Sequence, residues 1–150
     1  MIAMTDSLQR LCDAAARATA LLSAATDDLV ADLGLSAARV QILDVLAAGG
    51  PPTVSQIARS LGLSRQAVQR VAGDLVAHGF GTYANNPDHA RAALVTMTEQ
   101  GRAAQAEAAR RKALWRETLA EGLAPAWLDV AYELMTLIAR RAGKSGAANS

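Results

Sequence analysis

The stretch that most constrains this chain is residues 53–80, TVSQIARSLGLSRQAVQRVAGDLVAHGF. Ile57, Leu61, Leu63, Val68 and Val71 recur at spacings that let two short helices clamp one another. Ala58 stands where the second helix crosses closest, and a larger side chain there would push the pair apart. Gly62 stands at the turn, where a positive φ is usually required. Ser64 precedes the second helix and can cap its free N–H groups. Each position needs its residue type for a separate steric reason. The segment is therefore a helix-turn-helix, with helices over about 54–60 and 65–78.

The second helix of such a unit lies in a major groove of DNA, its N-terminal half against base edges. Val68, Val71 and Leu75 face the core, which leaves Arg65, Gln66, Gln69 and Arg70 outward. Arginine can make paired hydrogen bonds to guanine and glutamine to adenine. With Ser64 at the helix start, these are the DNA-binding candidates of the helix. The plainer alternative is a solvated face on a helical hairpin. It is disfavoured because no acidic residue interrupts the face before Asp74. Two strands follow, about 80–84 and 92–96, joined through the turn-forming Asn85-Asn86-Pro87-Asp88. A hairpin directly after the second helix is placed as a wing. Arg91, just past its turn, completes the candidate set, since a narrow minor groove attracts arginine. Phe80 and Tyr83 are read as packing residues rather than base-stacking ones.

Long Ala/Leu-rich helices flank this unit. Leu8, Leu11, Ala15, Ala18, Leu22, Ala25 and Leu29 place a helix over 5–33, ended by Gly34. Ser36 caps a second helix that stops at Gly49-Gly50, and Pro51-Pro52 forces extended chain. Thr98 caps a fifth helix running to about 121. Pro125 suits the first turn of a sixth, with Trp127, Ala131, Leu134 and Ile138 on one stripe. Residues 143–150 are expected to fray. The expected fold is mostly α with a small β-hairpin wing, in one domain over 1–142. Residues 51–97 form its DNA-binding lobe, and 5–50 and 98–142 its dimerisation and supporting helices. The stripes of the first and last helices have no obvious partner within the chain beyond each other, which points to a homodimer.

Composition sets further bounds. The net charge of +1 hides a gradient: residues 1–50 balance to −3, and residues 51–95 to +2. There is no run of about 18 apolar residues to span a membrane and no signal-peptide pattern, so a cytoplasmic protein without a membrane partner is expected. A single cysteine, Cys12, allows no intrachain disulfide. His78 and His89 lack metal-like partners at helical spacing, so no metal, cofactor or enzymatic role is expected. His78 is placed to cap a helix end. Asp27, Asp28 and Asp32 are read as a solvated face.

The motifs VSQIARSLGLSRQAVQRVAGDLVAHGF at 54–80 and NPDHARAALVTMTEQG at 86–101, with the long helices on both sides, resemble the MarR family of bacterial transcriptional regulators. The resemblance covers roughly 5–142. It implies a triangular dimer with interlocked terminal helices, a DNA-reading helix at 64–78, and a wing whose Arg91 enters a minor groove. It also implies an inverted-repeat operator, a repressor role, and release by a small aromatic or phenolic effector bound between the dimer helices and the DNA lobe. The chain departs from the family at His89, where many members have an Asp that steadies the wing arginine, and at Ala90, often basic in the family. Asp88 is then the nearest candidate to steady Arg91. Two other readings stand beside this one. One is a winged-helix protein-interaction module without DNA binding, against which the retained Arg65 and Arg70 argue. The other is a thiol-based redox sensor through Cys12, against which the neighbouring Leu11 and Asp13 argue. Cys12 is expected to be a small buried hydrophobe.

Overall fold

Helix α1 (Ile2–Val30) continues into a 3-10 turn, Ala31–Leu33, and ends where Gly34 adopts a φ of 72°. This is a computed structural model, and it describes residues 2–89 and 91–147. Helix α2 (Ala37–Ala48) starts on two oxygen acceptors. Ser36 Oγ accepts from the Arg39 N–H at 3.3 Å, and Asp27 Oδ1 accepts from the Ala37 N–H at 2.6 Å. These satisfy backbone donors that a helix start leaves open. Helix α3 (Val54–Leu61) opens with a reciprocal capping box. Thr53 Oγ1 accepts from the Gln56 N–H, and Gln56 Oε1 accepts from the Thr53 N–H at 2.7 Å. Helix α4 (Arg65–Ala77) leads into strand β1 (Gly81–Ala84), strand β2 (Leu94–Met97), helix α5 (Glu99–Ala120) and helix α6 (Pro125–Ala147).

The strands pair antiparallel, with Gly81 opposite Met97 and Tyr83 opposite Val95. The extended prolines add to this sheet. Thr53 bridges Leu94, and the Val95 N–H donates to the Pro52 carbonyl at 2.8 Å. The start of α3 is thus tied to the wing. The mostly helical fold with a hairpin wing agrees with the sequence reading. One boundary moves: α6 stays helical to Ala147, beyond residue 142 where the sequence reading ends it. Residues 148–150 lie outside the described residues.

The chain divides into two compact units, residues 1–113 and 114–150, and α5 begins in the first and ends in the second. The core of the first unit centres on Leu43, Ile57, Val68, Leu75 and Val95, all fully buried. Burying each large side chain of this kind is worth about 1.5–3 kcal/mol. Val30 joins this core and Leu29 packs against it, but Leu8, Leu21 and Leu22 earlier in α1 are exposed. In the second unit α6 exposes Trp127 (70%), Leu134 and Leu137.

Three residues, Thr98, Arg111 and Lys112, fix the first part of α5. At its start, Thr98 Oγ1 donates to the Gly79 carbonyl at 2.6 Å and accepts from the Gly101 N–H at 3.0 Å. The Thr98 N–H donates to the Phe80 carbonyl. Further along, Arg111 donates to both carboxylate oxygens of Asp32, at 2.6 and 2.9 Å, to Glu107 at 2.8 Å and to the Leu29 carbonyl at 2.8 Å. Beside it, buried Lys112 pairs with Asp44, whose other oxygen accepts from Gln105 Nε2 at 3.1 Å. The acidic cluster at the end of α1 and in the 3-10 turn is therefore not simply a solvated face: Asp27 caps α2 and Asp32 anchors α5. Arg111 holds the Asp32 carboxyl below its ordinary value. Arg110 and then Arg111 pull Glu107 from 4.5 down to about 2.

Two outcomes are expected. A Cβ on Gly101 would lie 1.9 Å from the Phe80 carbonyl oxygen. Gly→Ala inside a helix ordinarily gains up to about 1 kcal/mol. Here the clash outweighs that gain, so Gly101→Ala should destabilise by about 1–3 kcal/mol or more in urea unfolding. A stabilised variant would mean that α5 does not seat on Phe80. Glu107 has a lowered folded pKa, so its contribution is complete above about pH 4.5 and is lost as pH falls toward about 2. The urea midpoint should decline through that window, and Glu107→Gln should flatten the decline. An equally steep fall in the variant would contradict the ion cluster.

Candidate nucleic-acid interface

The turn between α3 and α4 is built on Gly62, whose φ of 65° places it in the left-handed region. The Leu63 N–H donates to the Ala58 carbonyl at 3.0 Å and the Gly62 N–H to the Arg59 carbonyl at 3.4 Å, which closes the end of α3. Ser64 then starts α4, its Oγ accepting from the Ala67 N–H at 3.1 Å. Ile57, Ala58 and Val68 meet the expected clamp, with Leu61 and Val71 packed against it. Leu63 does not: it is 47% exposed, because the left-handed turn throws it out of the interface. Ala72 and Leu75 supply the burial further along α4.

Arg65, Gln66, Gln69 and Arg70 are all exposed. Four-residue spacing sorts them into two neighbouring rows, Arg65 with Gln69 and Gln66 with Arg70. The first row borders the wing. Arg65 and Gln69 line an open recess of about 270 Å³ together with Tyr83, Arg91 and Thr53. Two arginines thus line one concave site, and no acidic side chain is among the described residues lining it. Gln66 and Arg70 lie on the exposed surface of α4 outside that recess, as does Ser64. The Ser64 oxygen is occupied by its capping bond, which leaves its O–H free to donate.

Asn86 organises the loop that carries Arg91. Its Nδ2 donates to the Ala92 carbonyl at 2.9 Å, and its Oδ1 accepts from the Asp88 N–H at 3.0 Å. Among the described residues no ion pair joins Asp88 to Arg91, so the expected steadying contact is not made. The turn that bears the arginine is closed instead by the Ala92 N–H donating to the His89 carbonyl at 3.0 Å. Ala90 lies outside the described residues.

Tyr83 was not among the candidates, yet it enters the recess. Its Oη accepts from Gln69 Nε2 at 3.2 Å. The signal was the hairpin register, which a sequence alone does not reveal. His78 sits at the end of α4, where its Nδ1 lies 2.7 Å from the Asp74 carbonyl oxygen, so it closes the helix as expected. Cys12 is exposed rather than buried, because its stretch of α1 lies outside the core of the first unit. Among the described residues no group of three His, Cys, Asp or Glu side chains converges on a metal-sized site. No described helix is long and apolar enough to cross a membrane.

A family model described as MarR family matches residues 33–92. An uncharacterized protein of Mycobacterium tuberculosis is 37% identical over 126 residues, which cover 84% of this chain and 87% of that protein. Among solved structures, the chain is similar to a MarR family transcription regulator with a TM-score of 0.79 and 21% identity, covering 96% of this chain and 95% of that one. It is also similar to the transcriptional repressor CouR bound to a 23-mer DNA duplex, with a TM-score of 0.74 and 25% identity over 84% of this chain and 89% of that one. CouR from Rhodococcus jostii bound to p-coumaroyl-CoA matches with a TM-score of 0.74 and 18% identity, covering 83% of this chain and 87% of that one.

Proposed function

This chain belongs to the MarR family, and on that premise we propose that it is a homodimeric repressor that binds an inverted-repeat operator and is released by a small-molecule ligand. The family and fold are those of transcriptional regulators. One observation carries the DNA reading: the exposed row Arg65–Gln69 shares a recess with the wing residue Arg91. In this reading α4 enters a major groove with Arg65, Gln66, Gln69 and Arg70 toward base edges, and Ser64 donates to the backbone at the groove edge. Arg91 enters the flanking minor groove. Arginine suits that position because it is long, planar and always charged. No other Lys or Arg lies between Arg70 and Arg102, so nothing nearby replaces it.

Two further observations support the assembly and the release. Exposed apolar side chains on α1 (Leu8, Leu22) and on α6 (Trp127, Leu134) are what an obligate subunit interface would cover. CouR has been seen with a DNA duplex and with p-coumaroyl-CoA, and a ligand-released repressor is the reading that joins those two states.

Selection of bound DNA from a random pool tests the proposal. A two-fold dimer sets its reading helices about 34 Å apart, so the enriched sequence should be an inverted repeat with half-sites about one helical turn apart. In a competition titration at several salt concentrations, Arg91→Ala should weaken binding severalfold, most on A·T-rich flanks, and reduce the salt slope by about one counterion per wing. No enrichment, or a single isolated half-site, would refute the dimeric reader. An unchanged affinity and slope would remove the wing from the contact.

A further inference from the structure

Tyr83 lies on β1 directly opposite Val95 of β2. Paired residues of an antiparallel ladder project to the same face of the sheet. Val95 is fully buried, so Tyr83 leans over the core side of the wing, toward α4. Tyr83 as a whole stays 39% exposed at the rim of the recess, and its Oη accepts the hydrogen bond from Gln69 Nε2 at 3.2 Å. Packing of the ring does not require the hydroxyl. The hydroxyl is the atom that reaches across from wing to reading helix.

A glutamine amide offers two N–H donors and an oxygen with two lone pairs. Its terminal torsion is broad and roughly two-fold, so an unheld amide exposes nitrogen or oxygen with similar ease. The bond to Tyr83 uses one N–H. It leaves the second N–H and Oε1 as an adjacent donor and acceptor. Adenine N7 and N6 require that pair in the major groove. Resting on the DNA reading above, we infer that Tyr83 is a positioning residue for base readout: it holds the Gln69 amide in the orientation that selects adenine. The wing then does more than touch the flanking groove, because it sets what one residue of the reading helix can recognise.

The test compares base preferences, selected from a random pool, of wild type, Tyr83→Phe, Gln69→Ala and the double variant. Wild type should enrich an A·T pair at one position of each half-site, and Gln69→Ala should lose that preference. Tyr83→Phe should reduce it about three- to tenfold at that position alone, a fraction of a full paired contact. Its thermal midpoint should match wild type. In the Gln69→Ala background, Tyr83→Phe should change nothing further at that position. Preferences unchanged in Tyr83→Phe would overturn the inference while leaving the DNA reading intact. So would equal weakening on all sequences, which marks a phosphate contact, or an effect that persists without Gln69. A wild type that enriches no sequence would overturn both.

Discussion

The outward presentation of α4 depends on the reversal at Gly62. Its backbone is left-handed, yet a Cβ there would meet nothing within 4 Å. The constraint is conformational rather than one of space: an L side chain in that region costs roughly 1–2 kcal/mol. Gly101 presents the opposite case. Its φ is not in the left-handed region, but a Cβ would run into the Phe80 carbonyl. The first glycine aims α4, and the second lets α5 seat against the turn that follows α4. Together they hold α4 from both ends.

What α5 adds is a rigid mount. Thr98 ties its start to Gly79, and Arg111 and Lys112 tie its middle to Asp32 and Asp44. Lys112 is buried, so removing its charge would leave the Asp44 carboxylate partly desolvated and without its cation. Exposed ion pairs contribute little on their own. The pairs made by Arg111 matter because one guanidinium joins three groups, among them a backbone carbonyl of α1. The exposed face of α4 is thus a small patch on a scaffold held by non-local contacts.

Legibility in the sequence follows the same division. Turns, caps and helical faces depend on residues within a few positions, and so Gly62, Ser64, Ser36 and Thr98 could be read directly. The Arg111–Asp32 pair joins residues 79 apart and leaves no local pattern. Periodicity gives a face but not whether a neighbour covers it, and so it does not show that Cys12 is exposed; nor does it show that the Gly62 turn leaves Leu63 exposed. At the candidate interface, helical spacing singles out the outward side chains of α4, and the hairpin turn singles out the wing arginine. Which of them converge depends on how the hairpin lies along α4. That placement brings Arg65, Gln69 and Arg91 to one recess, leaves Gln66 and Arg70 beside it, and adds Tyr83.

The central claim is that the exposed face of α4 reads bases rather than merely carrying charge. Gln66 and Arg70 test it most directly, because they lie outside the recess shared with the wing. Competition binding with Gln66→Ala and Arg70→Ala, on operators changed one base pair at a time, separates the two roles. The account predicts that each variant loses discrimination at particular base pairs, by about 1–3 kcal/mol for a lost paired contact, and keeps it elsewhere. Equal weakening of both variants on every sequence would show that this face binds phosphate only, and would contradict the account.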